Sequence, residues 1–111
     1  MTSVLLVDDD EDLATLMAEQ LRRFGYTVRS AFSVQQAKER ARADTFDVLI
    51  TDAHLDDGDA AQVAQAVPTR LRMVLSGTAG LRVPGFDLVL LKPTSAEALS
   101  DAISRRFPAT P

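Results

Sequence analysis

The run Phe46-Asp47-Val48-Leu49-Ile50-Thr51-Asp52 constrains this chain more than any other stretch. Its centre, Val48 to Ile50, is continuously apolar, and a turn-forming run, Asp56-Asp57-Gly58-Asp59, follows soon after it. An apolar run bounded by turn residues, with no polar alternation, predicts a central strand of a parallel sheet, covered on both faces. In open parallel sheets ligands bind in the crevice beyond the carboxyl ends of the strands. Asp52 closes this strand, so it stands where chemistry is expected.

The rest of the chain alternates strands with helices. Val4 to Val7 is a second buried apolar run, and it ends on Asp8-Asp9-Asp10-Glu11-Asp12. Leu13, Leu16, Met17, Leu21 and Phe24 then recur at helical spacing, predicting a helix over about 11–24 that stops at Gly25. N-capping and the helix dipole account for Asp10, Glu11 and Asp12. They do not account for Asp8 and Asp9, two like charges at the end of a buried strand. Tyr26 to Ala31 alternates and reads as a less buried strand. Ser33 caps a helix to about Ala43 whose apolar stripe is thin: Val34, Ala37 and Ala41. Ala60 to Ala66 is a short helix before Pro68. Leu71 to Leu75 is the fourth strand, ending at Ser76-Gly77, and Leu88 to Leu91 is the fifth, ending at Lys92-Pro93. Ser95 caps a last helix with Leu99, Ala102, Ile103 and Phe107 facing inward. Residues 1–107 thus read as one domain, and 108–111 as a tail or the start of a linker. The alternation implies an α/β three-layer sandwich around a parallel sheet with right-handed crossovers.

Composition removes several classes of function. The 111-residue chain contains no cysteine, which excludes disulfides, a thiol nucleophile and a cysteine-based zinc site. No apolar run is long enough to span a membrane, and the start has no secretory signal pattern, so the expected setting is cytoplasmic, with no membrane partner. The formal net charge is −4, and the arginines are scattered rather than gathered on one face, which argues against direct nucleic-acid binding.

In a parallel sheet the strand ends share one edge. Asp8 and Asp9, Asp52, Ser76 and Lys92 therefore converge on one crevice. Three carboxylates that close together repel unless a cation sits among them. With oxygen ligands alone the cation is hard, and Mg²⁺ is the expected one. A metal and an ammonium together neutralise a phosphoryl group, and a carboxylate can be the nucleophile that accepts it. Asp52 is read as that acceptor, with Ser76 able to hydrogen-bond a phosphoryl oxygen.

On these residues the chain resembles the receiver domain of bacterial two-component response regulators. The resemblance runs from Val4-Leu5-Leu6-Val7-Asp8-Asp9 through Asp52 and Ser76-Gly77 to Leu91-Lys92-Pro93. It implies a five-stranded, flavodoxin-like doubly wound sheet in the order 2-1-3-4-5. It implies that Asp52 is phosphorylated by a sensor histidine kinase or a histidine phosphotransfer protein with Mg²⁺, and that a further protein reads the signal. By resemblance, Asp9 binds the metal directly, Asp8 acts largely through a metal-bound water, and the backbone carbonyl of His54 is the third protein ligand. Ser76 moves toward the phosphoryl group, with Thr78 as a rival for that position, and Lys92 pairs with it ahead of a cis bond to Pro93. No enzyme acting on other substrates is implied; the chain would catalyse only its own phosphorylation and dephosphorylation. The His54 side chain is read as exposed, the alternative being that it tunes hydrolysis of the acyl phosphate.

The departures from the family pattern bear on output. Leu55-Asp56 replaces the usual Met-Pro, and Ala60 stands where glycine is common. The stretch between Ser76 and Lys92 is short and contains Pro84 and Gly85, so the fourth helix is predicted to shrink to a turn or irregular loop. Val89 occupies the position of the aromatic that swings inward in the family. These departures leave a second reading, a receiver-like module that binds protein without phosphorylation. A third, a small Mg²⁺-dependent phosphohydrolase with Asp52 as nucleophile, is opposed by His54 where a second acid is usual.

Overall fold

The structure is a computed structural model that describes residues 2–107. Its elements are β1 (Ser3–Val7), α1 (Glu11–Arg23), β2 (Thr27–Ala31), α2 (Val34–Ala43), β3 (Val48–Asp52), β4 (His54–Leu55), β5 (Gly58–Asp59), α3 (Ala60–Ala66), β6 (Leu71–Ser76), β7 (Leu88–Leu91) and α4 (Ala96–Arg106). Five strands form one sheet in the order β2-β1-β3-β6-β7, every neighbouring pair parallel. Setting aside the two-residue antiparallel hairpin β4–β5, this is the expected 2-1-3-4-5 order. The hairpin replaces the plain polar turn expected at Asp56-Asp57-Gly58-Asp59. The proposed tail, 108–111, lies outside the described residues.

Alternate residues of the central strands go to opposite layers, as the period of a strand requires. Val4, Leu6, Val48, Ile50, Met73 and Leu75 face α1 and α4, where they meet Ala14, Ala18, Leu21, Leu99 and Ile103. Leu5, Val7 and Leu49 face α2 and α3, meeting Val34, Ala37 and Val63. All five residues of β3 are buried, as its apolar run predicts.

Each helix start is built from its sequence. Asp10 caps α1 by accepting from Leu13 N–H at 3.1 Å. Ser33 caps α2 and Ser95 caps α4 in the same way. Asp59 and Gln62 form a reciprocal capping box at α3. At the other end of α1, Gly25 takes φ 98°, a conformation that favours glycine. Asp59→Ala removes half of the α3 box and is expected to cost about 1 kcal/mol. That corresponds to a melting temperature lower by about 5 °C, readable by circular dichroism.

One expectation needs correction. Of the apolar stripe read on α1, Leu21 is buried, but Leu13 and Leu16 are 43% and 51% exposed and Phe24 is 51% exposed. The face turned to the sheet is Ala14, Ala18 and Leu21. Small residues let a helix approach the sheet closely, so apolar spacing alone does not choose between the two stripes. At the sheet edge, Leu88, Val89 and Leu91 of β7 are 38%, 37% and 53% exposed. β7 is an edge strand, and no helix forms over it. Residues 77–87 are turns and irregular chain, as Pro84 and Gly85 predict. Leu81, Val83 and Phe86 of this loop cover Val74, Ala53 and Ala60 in place of a helix.

Candidate functional site

β1, β3 and β6 are parallel and in register, so they deliver their last residues to one edge. Val7 pairs with Thr51, and Asp52 pairs with Leu75. Asp8 follows Val7, Asp52 closes β3 and Ser76 closes β6. All three are buried, each 4% exposed. β7 brings in Lys92, whose backbone N–H donates to Ser76 O at 2.8 Å. The Lys92–Pro93 peptide bond is cis, as the resemblance implies.

Asp8, Asp9, Asp52, Ser76 and Lys92 come together at this edge. Carboxylate oxygens of Asp8, Asp9 and Asp52 lie within 4.8 Å of one another. Asp8 Oδ1 is oriented by the Asp10 N–H at 2.9 Å. Lys92 Nζ makes an ion pair with Asp52 Oδ1. Ser76 Oγ–H donates to Thr78 O at 3.1 Å and accepts from Thr78 N–H at 2.9 Å, so the hydroxyl is held by the start of the 77–87 loop. A cleft of about 150 Å³ joins these groups, lined by Asp52, His54, Ser76, Thr78 and Lys92 among others. His54 is exposed at its rim. Beyond Lys92 lies a larger, mainly apolar groove of about 370 Å³, lined by Leu13, Met17 and Pro93 among others.

Electrostatics test whether a cation fits. Burial above all, and then Asp8 beside it, push the Asp52 carboxyl up to about 7, against the pull of Lys92. Desolvation works to lower the Lys92 ammonium, but contact with Asp52, and the charges of Asp8 and Asp9, hold it above the usual lysine value. One ammonium is thus too little for three clustered carboxylates. Apart from its ion pair, Asp52 Oδ1 accepts no hydrogen bond from the described residues. An all-oxygen donor set in which three clustered carboxylates share one ammonium suits a hard divalent cation.

This fold and this edge of acids, hydroxyl and lysine define a class. Residues 4–104 match the family model of the response regulator receiver domain. The chain belongs to that family. It is 29% identical over 112 residues to the photosynthetic apparatus regulatory protein RegA of Cereibacter sphaeroides, a match covering 91% of this chain and 60% of RegA. The chain therefore spans less than two thirds of that relative. Among solved structures, a CheY-like receiver domain protein from Methanospirillum hungatei superposes with a TM-score of 0.84 at 21% identity, covering 96% of this chain and 93% of that one. A response regulator from Burkholderia pseudomallei, crystallised with a phosphorylated aspartic acid, a calcium ion and citrate, superposes with a TM-score of 0.78 at 26% identity. That match covers all of this chain and 76% of the other.

Proposed function

We propose that this receiver domain is a phosphorylation switch whose acceptor is Asp52. The observation that carries the reading is the convergence of Asp52, Asp8, Asp9 and Lys92 within one buried strand edge. An Asp52 carboxylate oxygen attacks phosphorus as the P–N bond of a phosphohistidine breaks, and the imidazole leaves with the bonding pair. Lys92 supports the phosphoryl oxygens as charge builds on them. Ser76 supplies a further hydrogen bond after releasing Thr78. Asp8, Asp9, Asp52 and the His54 carbonyl would hold Mg²⁺, which neutralises phosphoryl charge when bound. Water attack on phosphorus later breaks the acyl phosphate and returns the carboxylate. The donor is a sensor histidine kinase or a histidine phosphotransfer protein in the cytoplasm. The exposed apolar groove beside Lys92, with Leu13 at its wall, gives such a donor a surface next to the acceptor.

The test uses phosphoramidate, a small P–N donor. A hydroxylamine-sensitive phosphate adduct that forms with Mg²⁺ and not with EDTA is expected. No adduct at any Mg²⁺ concentration overturns the reading and favours the phosphorylation-independent binding module, which the uncovered Val89 and Leu91 otherwise support.

A further inference from the structure

The segment from Ala53 to Asp59 joins the acceptor strand to α3, and it is fixed at several points. Ala53 N–H donates to Leu75 O of β6 at 2.9 Å. Ala60 N–H donates to Ala53 O at 3.1 Å, closing the segment on itself across the β4–β5 hairpin. In the middle, the Asp57 carboxylate reaches a different element. Its Oδ1 accepts from Val34 N–H at 2.8 Å and its Oδ2 from Gln35 N–H at 3.1 Å, both in the first turn of α2. These two bonds hold the Asp57 carboxyl below its ordinary value. α2 already has its own cap, because Ser33 Oγ accepts from Gln36 N–H. The bonds from Asp57 satisfy the two preceding amides, and they tie residues more than twenty positions apart in the chain.

Apolar contacts converge on the same turn. Leu55 is buried in the cluster that contains Val34 and Val63. A Cβ on Gly58 would meet Val34 Cγ2 at 2.9 Å and the Gln62 side chain at 2.2 Å, so the turn packs closely against α2 and α3. Among the described residues, no side chain of His54 or Asp56 makes a hydrogen bond that could replace the one from Asp57. A backbone carbonyl coordinates a small, geometrically demanding cation well only when its segment is held still.

We propose that Asp57 is a positioning residue for the metal: by clamping the 53–59 segment to the first turn of α2, it holds the His54 backbone in place for the cation. This rests on the phosphoacceptor reading above. It also makes the α2 N-terminus energetically coupled to the site, since whatever moves one end of the clamp biases the other.

Calorimetric titration of Mg²⁺ into the full chain tests the proposal without reference to phosphorylation. Asp57→Ala is expected to weaken Mg²⁺ binding about tenfold, the scale of loss for a residue that orients a ligand. Asp57→Asn keeps an acceptor for the Val34 amide and is expected to lose only about threefold on the same scale; it carries the test if the alanine variant does not fold. Ser33→Ala removes an ordinary cap from the same helix. It should lower the melting temperature by a few degrees, about 5 °C, and leave Mg²⁺ affinity unchanged. Two results overturn the proposal: Mg²⁺ affinity in both Asp57 variants equal to wild type, or an equal loss in Ser33→Ala, which would make general loosening of α2 the cause. Wild-type protein that binds no Mg²⁺ and takes no phosphoryl group from phosphoramidate overturns the underlying reading instead.

Discussion

Asp52→Asn is expected to raise the stability of the metal-free protein at pH 8 and to abolish phosphoryl acceptance. The Asp52 carboxyl sits at about 7 in the folded protein, against an ordinary value of 3.8, because it is buried beside Asp8. A carboxyl raised on folding binds its proton more tightly in the native state than in the unfolded chain. Its contribution is therefore fully present below about pH 4 and is lost as pH rises through about 7. At pH 8 the wild type carries a buried charge that the ion pair with Lys92 does not offset. Asparagine has nearly the same shape and carries no charge. In EDTA at pH 8 the variant should be more stable by about 1–3 kcal/mol in urea melts, with the difference vanishing near pH 4. Millimolar Mg²⁺ should reverse the order, because a cation that binds the native wild type alone stabilises it by mass action. A variant no more stable than wild type at pH 8 would show that burial leaves the Asp52 charge unstrained.

Lys92→Ala has the second large effect expected. Lys92 is the cationic side chain lining the cleft beside Asp52 among the described residues, and its ammonium touches Asp52. With it gone, charge developing on a transferring phosphoryl group has lost a fixed donor. Loss of one such donor typically slows chemistry by about 10²–10³-fold. The Asp52 carboxyl also loses the lysine that pulls it down, so less of it is the nucleophilic anion near pH 7. The rate of adduct formation from acetyl phosphate at saturating Mg²⁺ reads this directly. Circular dichroism on the same sample separates it from misfolding, since the partly exposed Lys92 side chain is not a core element. An unchanged rate would remove Lys92 from the chemistry.

What could be read from the residues alone follows from how local each signal is. The β3 run, the acid pair after β1 and the lysine before Pro93 each end an apolar strand. A parallel sheet brings strand ends together whatever the loops do. That is why Asp8, Asp9, Asp52, Ser76 and Lys92 meet where the sequence puts them. The missing helix between Ser76 and Lys92 was equally local, carried by Pro84 and Gly85. Burial was not local. Leu88-Val89-Leu90-Leu91 has the composition of a buried strand; the 2-1-3-4-5 order puts it at the sheet edge, but no spacing shows that the 77–87 loop leaves Leu88, Val89 and Leu91 exposed. The inward face of α1 escaped for a related reason. Helix periodicity marks both an alanine stripe and a leucine stripe, and only the distance of the helix from the sheet selects between them. The Asp57 clamp on α2 left no signal at all in a turn rich in aspartates. A long-range hydrogen bond between a turn and a distant helix start has no sequence spacing to recognise.

On the proposed reading, Asp52 accepts a phosphoryl group with a divalent metal. Intact mass after incubation with acetyl phosphate tests it most directly, with and without Mg²⁺, on wild type and Asp52→Asn. A single phosphate adduct on wild type that requires Mg²⁺ and is absent from the variant is the predicted result. An adduct that persists in Asp52→Asn, or none on folded wild type with Mg²⁺, would contradict it.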